Sequence, residues 1–197
     1  MEPAMTPHSS VHEVEFRKRY RTLEVMLEHL RNQEHLIQSL QAQAALSDQI
    51  KDAAVSALKI ESAKNYQVFH DYLLNFLTFS FQGLHRVDIL LSFSIMDNGG
   101  LQLESGSVSV DGIEHGLPAE EGIRWMEPLD KALGELGRKD AWDRLLDLYK
   151  TLELKYDRLL GGSLERCSLL LLEEVYPKGG YHVRIRLPAQ AFTDMGL

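Results

Sequence analysis

The residues of this chain that could carry chemistry are mostly carboxylates and histidines. Twenty-nine Asp and Glu stand against 21 Lys and Arg, with eight His and a single Cys. Two acid pairs are adjacent, Glu120-Glu121 and Glu173-Glu174. General acid–base work needs two carboxyls converging on one point, which adjacency does not supply. On a strand, Glu173 and Glu174 would point to opposite sides. A metal site needs several ligands on one face. His8 and His12 have the i, i+4 spacing but lie at the frayed start of the chain, while His29 and His35 are six apart and fall on different faces of a helix. His70, His85, His115 and His182 are scattered. Cys167 precedes an apolar run and reads as a small buried hydrophobe rather than a reactive thiol. No serine stands in a Gly-x-Ser-x-Gly elbow, and Gly99-Gly100, Gly161-Gly162 and Gly179-Gly180 lack the spacing of a phosphate loop. The expectation is a non-enzymatic protein with no catalytic residues, no cofactor and no metal.

Two charged features suit a binding surface better than a reaction. On an alternating stretch, Tyr181, Val183, Ile185 and Leu187 face one way and His182, Arg184 and Arg186 the other, with Arg166 a candidate neighbour. That stripe reads first as the solvated side of a half-buried sheet. As a site, it would receive a carboxylate-rich segment or phosphate. Residues 97–130 hold eight acids, among them Glu114, Glu120 and Glu121, opposed only by Arg124. These read as solubilising loops or as a surface for a basic protein. The cluster Arg17-Lys18-Arg19 with Arg21 is short and flanked by acids, so it reads as the flank of a helix.

The elements that must position these groups fall into two blocks. Residues 11–81 contain neither proline nor glycine and carry apolar residues at helical spacing. Ser9 or Ser10 could cap the start, with Glu13 completing a capping box. Phe16, Tyr20, Leu23, Leu27 and Leu30 recur at steps of four and three; Ile37 and Ala44 keep the phase, and Met26, Leu36 and Leu40 widen the face. Glu34 and Gln41 fall on the same phase and weaken it. A seam of this kind is a coiled-coil signature, and it predicts a homodimer held by Phe16, Tyr20, Leu23, Leu27, Leu30, Ile37 and Leu40.

Ser47-Asp48 would cap a second helix. Without a glycine or proline to enforce reversal there, the reading leans to one helix of about 105 Å over a hairpin of half that length. Ala53, Ala54 and Ala57 suit close helix approach. The bulky run Phe69, Tyr72, Leu73, Phe76, Leu77 and Phe79 is expected to enter the core of the following domain.

After Gly83, residues 87–96 alternate as a strand, and Asp97-Asn98-Gly99-Gly100 is a hairpin turn. Residues 101–110 return as one strand or two short ones, and Asp111-Gly112 turns the chain again towards Ile113. Residues 114–122 read as a polar loop, 125–136 and 140–160 as helices, and 166–175 with 181–187 as a second hairpin. The predicted fold is α+β: a long N-terminal helix or helical hairpin, then an antiparallel sheet of about four or five strands covered by helices. The predicted boundaries are a lead-in over 1–10, a helical region over 11–82 and an α+β domain over 83–197.

A hydrophobic fraction of 44% with 25% charged residues is that of a folded chain. Its net charge of −8 disfavours nucleic acid. A lone cysteine permits no intrachain disulfide and fits a reducing compartment. With no signal-like leader and no membrane-spanning run, the expectation is a cytoplasmic protein away from the membrane. The function expected is protein–protein assembly, through the N-terminal helix and an α+β head, with a protein partner, in one version a basic one. The competing reading is a small acidic neutralising protein of the toxin-immunity or secretion-chaperone type, with an enzyme of unknown type third.

Overall fold

A computed structural model describes residues 7–83, 85–96, 100–137, 143–145, 147–148, 150, 171–175 and 181–188. The chain divides into two compact units, Met1–Gly83 and Leu84–Leu197.

The first unit is an antiparallel helical hairpin of α1 (Pro7–Ala42) and α2 (Asp48–Phe81). The single long helix favoured by the absence of glycine and proline is therefore broken. The break falls just before Ser47, whose backbone is extended (φ −63°, ψ 149°) in the N-cap position, although its hydroxyl makes no cap bond. Burial outweighs the cost of reversal. Interrupting a helix forgoes about four hydrogen bonds, each with a net value of roughly 0.5–1.5 kcal/mol. Folding back buries Phe16, Leu23, Leu27 and Leu30 of α1 and Val55, Tyr66, Phe69, Leu73, Phe76 and Leu77 of α2. At about 1.5–3 kcal/mol for each such side chain, the apolar gain is several times larger.

Matching residues along the two helices fix the register of the hairpin. Near its open end, His12 stacks on Phe79 with centroids 4.4 Å apart, and Phe16 meets Phe76 at 5.3 Å. The Arg19 guanidinium lies 4.1 Å from the Phe79 centroid, and the Tyr72 hydroxyl donates to the Arg19 carbonyl at 3.0 Å. The bulky residues of α2 thus find aromatic partners on α1, within their own unit. Towards the bend the seam turns polar: Asn65 Nδ2 donates to Gln33 Oε1 (3.1 Å) and the Tyr66 hydroxyl to Glu34 Oε1 (2.7 Å). Glu34, which interrupts the apolar phase of α1, is answered by a donor on α2. Ala53 and Ala57 are exposed and mark no close approach.

The second unit is built on an antiparallel five-stranded sheet of order β3-β2-β1-β5-β4. Its strands are β1 (Val87–Ile95), β2 (Leu101–Val110), β3 (Ile113–Gly116), β4 (Leu171–Val175) and β5 (Tyr181–Pro188), with α3 (Ala119–Glu135) between β3 and β4. This is the expected α+β architecture. Residues 143–145, 147–148 and 150 are also helical, within the expected 140–160 helix, with Leu145 and Leu148 buried. The rest of that helix, Cys167, Arg166 and the tips of both long hairpins lie outside the described residues.

In the sequence of β2, Leu101 and Leu103 are out of phase with Val108 and Val110, which leaves one strand or two short ones open. A β-bulge resolves this. Ser92 pairs with Ser105 but Phe93 with Leu103, leaving Glu104 as the extra residue. The phase slips by one there, so both apolar pairs reach the same face. At the other end of β2, Asp111 (φ 49°) and Gly112 (φ 87°) make the tight turn into β3, which begins where a loop was expected.

The same face is covered by α3. This helix begins at Ala119, six residues before its expected start, because Pro118 precedes it and Glu120 and Glu121 favour its positive end. It buries Trp125, Leu129 and Leu133. Glycines allow the close approach: a Cβ on Gly106 would lie 3.2 Å from the Gly122 Cα, and one on Gly122 would lie 2.9 Å from Leu103 Cδ2.

The hairpin seam makes a direct prediction. Replacing Leu27 by alanine should lower stability by about 2–5 kcal/mol, whereas Val68→Ala, next to the buried Phe69 but itself 59% exposed, should change it by no more than about 0.5 kcal/mol. Urea unfolding followed by circular dichroism measures both.

Candidate functional site

The central strand β1 separates two faces of different chemistry. Ile89, Leu91 and Phe93 are fully buried on the face that α3 covers. Asp88, Leu90, Ser92 and Ser94 take the alternate positions. Register extends that second row across the sheet: Asp88 lies beside Ser109 and Ser109 beside Glu114, while Leu90 lies between Ser107 and Arg186. Ser107, Ser109, Glu114, Asp88 and Arg186 thereby form one polar strip around the buried Leu90, in which Asp88, Ser107 and Ser109 are themselves buried.

Asp88 is the unusual member of this strip. An aspartate is unfavourable inside a strand, and this one is only 2% exposed. Its Oδ2 accepts from Arg86 Nε at 3.0 Å and lies 3.8 Å from Arg186 Nη1. Among the described residues its buried Oδ1 has no hydrogen-bond partner, nor has the buried Nε of Arg186. Burial pushes the carboxyl above the ordinary aspartate range, against the opposing pull of Arg86 and then Arg186. Burial prevails because Arg86 is 54% exposed, so water screens its charge.

The surroundings of Asp88 are held firmly. The Ser107 hydroxyl donates to Glu114 Oε1 at 2.6 Å. One turn aspartate, Asp111, clamps the start of β1: Oδ1 accepts from the Arg86 amide (2.8 Å) and Oδ2 pairs with His85 Nδ1 (2.7 Å), while the Asp111 amide donates to the Arg86 carbonyl (2.7 Å). These groups offer fixed donors and acceptors. Among the described residues no set of three His, Cys, Asp or Glu gathers as a metal site.

The residues singled out from sequence divide between the two faces. Arg186 stands in the polar strip, 28% exposed, and Glu114 stands in the same strip on β3. His182 and Arg184 hold the alternate β5 positions in phase with Arg186, opposite Ser94 and Ser92 of β1 and opposite Val175 and Glu173 of β4. Glu120 and Glu121 are elsewhere, in the first turn of α3, where Arg124 lies 3.5 Å and 3.6 Å from their carboxylates. Glu120 is half-exposed but Glu121 is fully buried and presents no surface. Of the expected assembly residues, Phe16, Leu23, Leu27 and Leu30 are buried within the chain, and Tyr20, Ile37 and Leu40 are half-buried.

Asp88 carried a signal that sequence reasoning passed over: an acid inside the apolar run Val87–Leu91, with Arg86 adjacent and Arg186 at the end of the last strand. No protein-family model, curated protein or solved structure matches the chain.

The raised pKa of Asp88 has a testable sign. Between the ordinary aspartate value and the raised one, the native state holds a proton that the unfolded chain releases, so this group's contribution to stability falls as pH rises. Relative to Asp88→Asn, the parent protein should lose stability from about pH 4 towards neutrality, with the difference between the two flattening above the raised pKa. Urea unfolding across this range measures it; parallel curves would mean that burial does not govern the group.

Proposed function

We propose that this chain is a non-enzymatic protein–protein interaction protein, in which the helical hairpin is the assembly element and the α+β unit the recognition head. The observation that carries the head's role is the β5 register, which sets His182 and Arg184 at alternate positions in phase with the partly exposed Arg186, on the sheet face to whose row the exposed Glu114 of β3 also belongs. Charges of both signs in register on one sheet face favour orientation and specificity in a protein interface. The partner segment it suits carries carboxylates to meet the arginines.

The competing reading is a neutraliser of a basic protein acting through the acidic region. Its support is the net charge of −8 and the exposed carboxylate of Glu120.

Charge reversal separates the two. If the strip is the recognition surface, Arg184→Glu should weaken a captured partner's binding at least tenfold, about 1.4 kcal/mol, while Glu120→Lys leaves it unchanged. Titration of the captured partner against each variant measures this. The opposite pattern would replace the first reading with the second, and saturable turnover of a small molecule abolished by a single head substitution would overturn both.

A further inference from the structure

Apolar side chains remain on the outside of α1 in a regular order. Val11, Val14, Val25 and Leu36 are 70%, 68%, 61% and 49% exposed. Val14, Val25 and Leu36 are spaced by eleven residues, close to three full helical turns, and Val11 lies one turn before Val14. All four therefore fall within a narrow stripe that runs roughly 38 Å along the helix. At 100° per residue this stripe lies about 150° around α1 from Phe16, Leu23, Leu27 and Leu30, which face α2. The exposed apolar residues of α2 do not line up this way: Ile50 and Val68 share a direction, but Ile60 and Phe81 turn away by roughly 80° and 140°.

Charges beside the stripe are ordered as well. Lys18 falls in the stripe between Val14 and Val25, and His29 and Asn32 fall in it between Val25 and Leu36; along one edge Arg21 precedes Val25 and Glu28 follows it. Arg21 and Glu28 flank the same edge of the stripe, seven residues and about 10 Å apart along the axis, too far to pair within one helix. Among the described residues neither makes an ion pair.

A second copy of the chain meets both patterns when laid antiparallel. With Val25 at the two-fold axis, Val14 of each copy lies opposite Leu36 of the other, and Arg21 lies within about 1.5 Å along the axis of the other copy's Glu28. A parallel two-fold arrangement would instead put the Arg21–Glu28 edges of the two copies on opposite sides of the seam, so that Arg21 of one copy would not meet Glu28 of the other. An isologous two-fold contact needs this self-complementary order and nothing from another protein.

We infer that the outward face of α1 is a self-association surface, on which a second copy of this chain packs antiparallel about Val25. The inference rests on the reading of the hairpin as an assembly element and names its partner. It also moves the contact away from the leucine seam, which the chain uses internally.

The test uses the full chain with Cys167→Ser, so that introduced thiols are unique. Light scattering over a range of concentrations gives the mass, and Val25→Cys under mild oxidation reports the axis. The expected results are a dimer, its efficient cross-linking through Cys at 25, and a dimer dissociation constant raised at least tenfold by Arg21→Glu. Adding Glu28→Arg to Arg21→Glu should restore it. These positions are exposed, and circular dichroism confirms that helicity is retained. A dimer that neither cross-links at 25 nor responds to Arg21 and Glu28 would overturn this geometry while leaving the assembly reading in place. A monomer at every concentration would overturn both, and recognition by the head would then stand alone.

Discussion

The packing of α1 against α2 decides what the N-terminal half of this protein can present to anything else. Leu23 and Phe69 are both fully buried. Exposing such a seam would cost far more than the few helical hydrogen bonds lost at the bend. Once it forms, the residues that look most like an oligomerisation face are no longer available for one. What remains outside is the stripe of Val11, Val14, Val25 and Leu36, modest in area and ordered in charge. Such a surface suits reversible self-association better than the obligate interface that a free leucine seam would have made.

In the head, a similar economy of faces positions the polar strip. The bulge at Glu104 brings Leu103 into line with Val108 and Val110, so one side of the sheet is consistently apolar and takes α3. The other side is left to Asp88, Ser107, Ser109, Glu114 and Arg186. A buried carboxylate with one oxygen unanswered among the described residues is a poor stabiliser. In the centre of the sheet it holds Arg86, whose Nε donates to it at 3.0 Å, and lies 3.8 Å from Arg186 Nη1.

Much of this was legible in the sequence because it follows from period and punctuation. The helical region, the β1–β2 hairpin, the last two strands and the α+β class come from apolar spacing and from turn residues such as Asp111-Gly112. The hairpin bend was not, because local sequence at Ser47 permits a reversal without requiring it, and only the matching of Phe16 with Phe76 and of Glu34 with Tyr66 selects it. The bulge escaped for a related reason: a phase slip in β2 and a break between two strands look alike until β1 is paired beside it. For the candidate site, Arg186 and Glu114 stand out in the sequence separately, one in a basic stripe and the other in an acidic region, and only the pairing of β1 with β2 and β5 sets them on one sheet face. Glu121 could not be distinguished from Glu120 by type, since only the packing of α3 shows that one is buried and the other is not. Asp88 lay hidden among apolar neighbours whose burial is what makes it unusual.

Both the buried seam and the outward stripe require an intramolecular hairpin, and a distance between spin labels tests it most directly. Labels at Arg17 and Asn75, both exposed, in a Cys167→Ser background and diluted with unlabelled protein, report only distances within one chain. Helices packed 8–10 Å apart should give a narrow distribution below about 25 Å. A continuous helix would set the same sites about 87 Å apart; finding no short distance would contradict the seam, and with it the outward-facing stripe.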